Sequence, residues 1–238
     1  MTKWLSFDIE ICSDLEEGQH TEFSKITPSV AALASSERDV QYFWDKPAMT
    51  RETAQRLVYI MLEAQKNGYI VFGWNSLSFD FPLLATYSGM VKECAEIALN
   101  SVDGMFLVVC HKGYPLGLDA ALTGAGLESK VHSVTLNDKT VFSEMNGKEA
   151  PRLWRAGEYQ AVVDYLRGDV VQPLKLAEWI ESHHRVSWTS RSNRFQTFST
   201  EMLTVRECMN LPLPDVSWMS NPKPREEYYS WIPNEVLE

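Results

Sequence analysis

Residues 3–11, KWLSFDIEI, constrain the fold more than any other stretch of this chain. In an extended segment Leu5, Phe7, Ile9 and Ile11 fall on one side, and Ser6, Asp8 and Glu10 on the other. That is the period-2 pattern of a strand with one apolar face. It also aims Asp8 and Glu10 in the same direction, away from that face. A second apolar run, YIVFGWNSLSFDFPLL at 69–84, sets Asp80 between Phe79 and Phe81, with Pro82 next. A carboxylate at the edge of a core is costly unless it is paired or binds a metal. Further along, YLRGD places Tyr165 and Asp169 four residues apart, on one helical face. Four such acids, if they converge, suit Mg²⁺ or Mn²⁺ rather than zinc, and are enough for two ions.

Around these residues the pattern predicts strands at 30–34 and 39–44. A helix follows, N-capped by Thr50, with an apolar stripe at Ala54, Leu57, Val58, Met61 and Leu62 and its end at Asn67-Gly68. Residues 69–73 read as a strand, 81–99 as helix in one or two pieces, 105–110 (MFLVVC) as a strand, and 117–126 as a short helix. The last long helix is expected over 157–181, with Gly168 and Pro173 as its weak points. Strands first, then alternating helix and strand, predict an α/β fold: a mixed sheet flanked by helices. After residue 182 the composition changes. SHHRVSWTSRSNRFQTFST carries three arginines and no acid, and Ser192-Asn193 suits a hairpin turn. Residues 211–238 hold five of the eleven prolines together with Trp218, Tyr228, Tyr229 and Trp231. The expected division is one domain over 1–182 and, over 183–238, a hairpin and a Pro- and aromatic-rich tail packed on it. Trp218 and Trp231 are read as tail anchors, Asp103 and Asp119 as surface or capping residues.

A net charge of −10 argues against a protein that coats nucleic acid through bulk charge, but not against one that grips a few phosphates locally. No run of about 18 apolar residues suggests a membrane span. The acids in MTKWLSFDIEIC do not suit a signal peptide. Cys12, Cys94, Cys110 and Cys208 are scattered without a CxxC, which suits a reducing compartment. The expectation is a cytoplasmic protein.

DIE at 8–10, NSLSFD at 75–80 and YLRGD at 165–169 resemble the DxE, NxxxFD and YxxxD motifs of the DEDD superfamily of 3′–5′ exonucleases. The tyrosine in the third motif resembles the DEDDy (DnaQ-like) branch. Over about residues 3–180 the layout is similar to the exonuclease domain of family B DNA polymerases and its stand-alone relatives. LGLDAALTGAGLESK at 116–130 and the WRAGEYQAVVDYLRGDV lead-in are softer matches. The resemblance implies a ribonuclease H-like fold and a two-metal exonuclease that removes nucleotides from 3′ ends. Asp8, Glu10, Asp80 and Asp169 would hold two divalent cations, Mg²⁺ or Mn²⁺. Tyr165 would orient or deprotonate the attacking water, and Ile9, Asn75 and Phe79 would meet the terminal nucleotides. Arg185, Arg191 and Arg194 are candidates for backbone phosphate contact. Single-stranded DNA is the favoured substrate. An exoribonuclease with the same site, or a non-catalytic module that binds a partner, are the alternatives. A proofreading or repair role would need a separate polymerase or repair partner.

Overall fold

The computed structural model describes residues 2–14 and 22–238. β1 (Lys3–Ile11) is its central strand. β2 (Pro28–Ser35) pairs with β1 antiparallel, setting Asp8 opposite Ala32 and Glu10 opposite Val30. β3 (Arg38–Trp44) continues antiparallel on that side. α1 (Arg51–Lys66) then carries the chain across to β4 (Tyr69–Gly73), which runs parallel to β1 on its other side. The Thr50 side chain caps α1 by accepting the Thr53 N–H, and Gly68 leaves it at a φ of 83°. The sheet order is β3-β2-β1-β4-β5, mixed as the sequence predicts, with β5 (Val102–Asp103) only two residues long.

Region 81–99 forms two helices, α2 (Asp80–Ser88) and α3 (Val91–Leu99), separated at Gly89 with a φ of 76°. The strand expected at 105–110 is instead helix α4 (Gly104–Lys112). A short all-apolar run does not separate a buried strand from a buried helix. Here the ends decide: the Asp103 side chain accepts the Phe106 N–H, and Gly113 closes the helix at a φ of 80°. α5 (Leu118–Gly124), a small hairpin of β6 (Val134–Thr135) and β7 (Val141–Phe142), and α6 (Ala150–Arg155) lead into α7 (Tyr159–His183).

α7 runs unbroken through both expected weak points. Gly168 is a close-approach position: a Cβ there would lie 2.6 Å from Val131 Cγ2. Pro173 removes the N–H that would bond the Asp169 carbonyl, yet the helix continues.

Helices cover both faces of the sheet. Leu5, Phe7, Ile9 and Ile11 pack with α1–α4 on one side. Trp4, Val30, Ala32 and Phe72 pack with α6 and α7 on the other, through Trp154, Val162, Leu166 and Val170. The acid-bearing face of β1 is therefore largely covered, and opens only at the cleft lined by Asp8 and Glu10. It lies beneath α7, so the strand is buried on both sides.

β8 (Arg185–Thr189) and β9 (Phe195–Ser199) form the expected hairpin, turning at Asn193 with a φ of 58°. It rests on α5 and on the end of α7. Beyond α8 (Val205–Met209), Tyr228, Ile232 and Val236 enter the core beside α3 and α4, and Trp231 Nε1–H donates to Leu77 O at 2.7 Å. Trp218, by contrast, is 67% exposed rather than a buried anchor. Among the described residues no helix is long and apolar enough to cross a membrane.

The hairpin's seat depends on Gly124, where a Cβ would meet the backbone of β8, 2.0 Å from Ser187 O. Backbone cannot swing aside as a side chain can. Gly124→Ala should therefore destabilise by about 1–3 kcal/mol, the usual cost of overpacking. The melting temperature should fall by several degrees in a calorimetric scan, and an unchanged value would show that the hairpin is loosely seated.

Candidate active site

Three separate elements deliver acids to one cleft: Asp8 and Glu10 from β1, Asp80 from the start of α2, and Asp169 from α7. Carboxylate oxygens of Asp8, Glu10 and Asp169 all lie within 4.8 Å of one another. Asp80 stands outside that trio. Its Oδ1 accepts the Ile9 N–H at 2.9 Å, which ties the loop after β4 to the central strand. Asp80 is thus the first residue of α2 rather than its cap; the cap position belongs to Phe79.

The loop that presents Asp80 is held from below by a residue read from the sequence as surface or capping. Asp103 is buried, and besides capping α4 its carboxylate accepts the N–H groups of Asn75 (3.1 Å) and Leu77 (2.8 Å). Asn75 sits at a φ of 70°, a left-handed conformation that asparagine tolerates better than most residues. Asn75, Phe79 and Ile9 line the cleft, whereas Phe81 turns into the core against Phe7. Arg185, Arg191 and Arg194 do not line it. Arg185 lies over the Trp179 ring at the foot of the hairpin, and Arg191 and Arg194 are exposed around its turn.

Lys130, not assigned to the site from the sequence, reaches into the acids. Its Nζ lies 3.0 Å from Asp169 Oδ2 and 5.4 Å from the centre of the Tyr165 ring. The segment that carries it crosses α7 where Gly168 leaves room, and the Gln172 side-chain N–H donates to Ser129 O. The only sequence hint was its place at the end of GLESK. A lysine arriving on an aperiodic loop announces no direction. Asn146, Gly147 and Lys148 form part of the facing wall and were likewise unread.

Burial sets the electrostatics. It pushes Asp8 well above the usual carboxylate range, with Asp80, Asp169 and Glu10 adding repulsion. Glu10 is raised by burial and by Asp169. Asp80 is pushed up to about 7, by burial and then by Asp103, against the pull of the Ile9 N–H. Asp169 is raised by burial, with Lys130 pulling the other way. The Tyr165 hydroxyl is raised by burial and by Asp169. The phenol ring itself is part of the core beneath α7.

These residues fit a divalent cation. Asp169 Oδ1 is buried and has no hydrogen-bond partner. The converging donors are all carboxylate oxygens, which suit a hard ion held at about 2.1 Å.

Part of the family B DNA polymerase from the hyperthermophilic archaeon Pyrobaculum calidifontis is similar to this chain. The match covers 76% of this chain and 24% of the polymerase, with a TM-score of 0.51 and 18% identity. The chain has a ribonuclease H-like fold. That polymerase is of the class whose exonuclease domain the three motifs resemble. A product-bound exonuclease I is similar over 76% of this chain and 44% of that one, at a TM-score of 0.40 and 12% identity. Escherichia coli exonuclease I bound to an oligonucleotide gives 76% and 41%, at 0.36 and 12%. The chain thus spans about a quarter of the polymerase's length and less than half of the exonuclease's. Neither a protein-family model nor a curated protein sequence matches it.

The raised Asp80 carboxyl makes a metal-free prediction. Its folded pKa of about 7 exceeds the unfolded value of about 3.9. The folded state therefore bears the cost of ionising it above pH 7, and that cost fades as pH falls toward 4. Asp80→Asn keeps an acceptor for the Ile9 N–H and removes the charge. In EDTA it should melt above the parent at pH 8, with the advantage shrinking toward pH 5. A gap that does not change with pH would show that burial does not raise the Asp80 carboxyl. Asp169→Asn is a less clean probe, because it also breaks the Lys130 pair.

Proposed function

We propose that this chain is a metal-dependent 3′–5′ exonuclease acting on single-stranded DNA. The observation that carries the reading is the gathering of Asp8, Glu10, Asp80 and Asp169 around one cleft, with a buried oxygen of Asp169 left without a partner. Burying like charges is expensive, and a cation is what offsets it. Asp8, Glu10 and Asp169 would hold one divalent ion, and Asp80 with Asp8 a second. When bound, two such ions activate water and stabilise the charge that develops on the attacking and leaving oxygens of a phosphodiester.

The chain's own groups would do the rest. The protonated Tyr165 hydroxyl, beside Asp169, would donate a hydrogen bond that orients the attacking water. The Lys130 ammonium would balance negative charge on the scissile phosphate. Phe79, Trp74 and Ile9 would seat the terminal nucleotide, which must be unstacked to enter. The cleft lies beneath α7, and a duplex end would have to fray first.

A 5′-labelled single strand should shorten from its 3′ end in Mn²⁺ or Mg²⁺, and EDTA should stop the reaction. A circular strand should resist; its efficient cleavage would mark an endonuclease. Matched RNA cut faster than DNA would make the chain an exoribonuclease. Tyr165→Phe should lower the turnover rate roughly 10²-fold, the usual loss for one positioned donor, with the Mn²⁺-induced rise in melting temperature retained. A fully active Tyr165→Phe enzyme would leave the tyrosine with a packing role alone.

A further inference from the structure

We infer that the site is built for short single-stranded 3′ ends, gripping one or two phosphates and letting go of the strand between cuts. This rests on the exonuclease reading above and adds the substrate class. A protein that tracks a long strand does so with a basic groove. Here, among the described residues, the cleft is lined by five carboxylates and two lysines, Lys130 and Lys148. Lys130 is held by Asp169 at 3.0 Å. Two divalent cations would leave the filled cleft with a single positive charge in excess. Lys148 is exposed in the lining of the cleft, and is the second lysine that could meet a phosphate beside Lys130.

The surroundings supply little more. Arg155, near the rim, is already engaged with Cys12 O and Asp14 Oδ1, each at 2.7 Å. Arg185, Arg191 and Arg194 belong to the hairpin and do not line the cleft. Stacking capacity is equally small. Among the described residues the cleft offers Trp74 and Phe79 besides the buried Tyr165, and Trp74 is pinned by its Nε1–H to Leu116 O at 2.8 Å. The volume, about 890 Å³, is that of a site for a compact ligand rather than of a track. A chain with a net charge of −10 also repels the rest of a long strand.

The consequence is quantitative. For single strands the slope of log affinity against log salt is about −0.7 per phosphate neutralised, so one or two contacts give roughly −0.7 to −1.4. The test is an anisotropy titration of the intact protein with 5′-fluorescein oligo(dT) of three, six, twelve and twenty nucleotides. It is run in Ca²⁺, a hard ion suited to the same oxygen ligands. Affinity should vary by no more than about threefold from six to twenty nucleotides, with a salt slope no steeper than about −1.4 at every length. Lys148→Ala should weaken binding at all lengths and flatten the slope by about 0.7. In Mn²⁺, a competitor added after mixing should stop shortening of the twenty-mer after one cut per encounter.

Affinity that climbs tenfold or more with length, a slope near −3, or a loss confined to the twenty-mer when Arg191 and Arg194 become Ala would each overturn the inference. All three leave the exonuclease reading intact, because they presuppose a strand that binds. Failure to shorten any oligonucleotide in Mn²⁺ would instead overturn the exonuclease reading, and this inference with it.

Discussion

Repulsion among carboxylates gathered beneath α7 is the constraint against which the rest of the structure works. Asp8, Glu10, Asp80 and Asp169 all have raised affinity for protons, each first because it is buried; like charges add to this at Asp8, Glu10 and Asp80, while Lys130 pulls Asp169 the other way. Nothing within that cluster would hold it together. The force that does so lies next to it. β1 is paired with β2 from Leu5 to Ile11 and with β4 from Lys3 to Ser6, and its two faces carry separate apolar layers, so its course is set by hydrogen bonding and burial. α7 is pressed onto the same face by Val162, Leu166 and Val170, and it brings Asp169 along.

A set of short-range devices then fixes the geometry. Asp103, buried and accepting N–H groups from both the loop and α4, orders the turn from which Asp80 projects. The Ile9 N–H draws the Asp80 carboxylate onto β1. Gly168 lets the Lys130 segment lie close against α7, and Gln172 holds its backbone there. Asp103, Gly168 and Gln172 would not touch a substrate, yet the position of Asp80 or Lys130 depends on each of them. Tyr165 serves two purposes at once. Its ring is part of the apolar layer that seats α7, and its hydroxyl, kept protonated by the neighbouring acids, faces the cleft.

Charge is distributed in a way that the total alone does not describe. The chain is acidic overall and acidic in its cleft, while three of its arginines gather on a hairpin away from the acids. On the proposed reading, attraction for phosphate would come from bound cations and from Lys130 and Lys148 rather than from a basic surface.

The sequence by itself determined those elements whose patterns are local. The alternation of residues 3–11, the Thr50 cap, the Asn67-Gly68 stop and the i, i+4 pairing of Tyr165 with Asp169 are each complete within a few residues. Each also appears in the structure as a strand, a cap, a turn and a shared helical face. So were the acids legible, because an ionisable group next to an apolar run is a local anomaly. What only the tertiary structure decided is whatever depends on neighbours distant in sequence. The apolar run at 105–110 suits either element, and Asp103 and Gly113 made it a helix by capping its ends. Gly168 read as a helix weakness, because the Val131 segment that needs the space lies 37 residues earlier. Lys130 was not assigned, and of Asp103, read as a surface or capping residue, the cap was legible but not the burial or the second role at the Asn75–Leu77 turn, since burial and distant partners are properties of the folded chain. The alternation of β1 shows which way its acids point, but not that α7 packs over that face. A side chain's period is written in its own segment, but the surface that it meets is set by long-range packing.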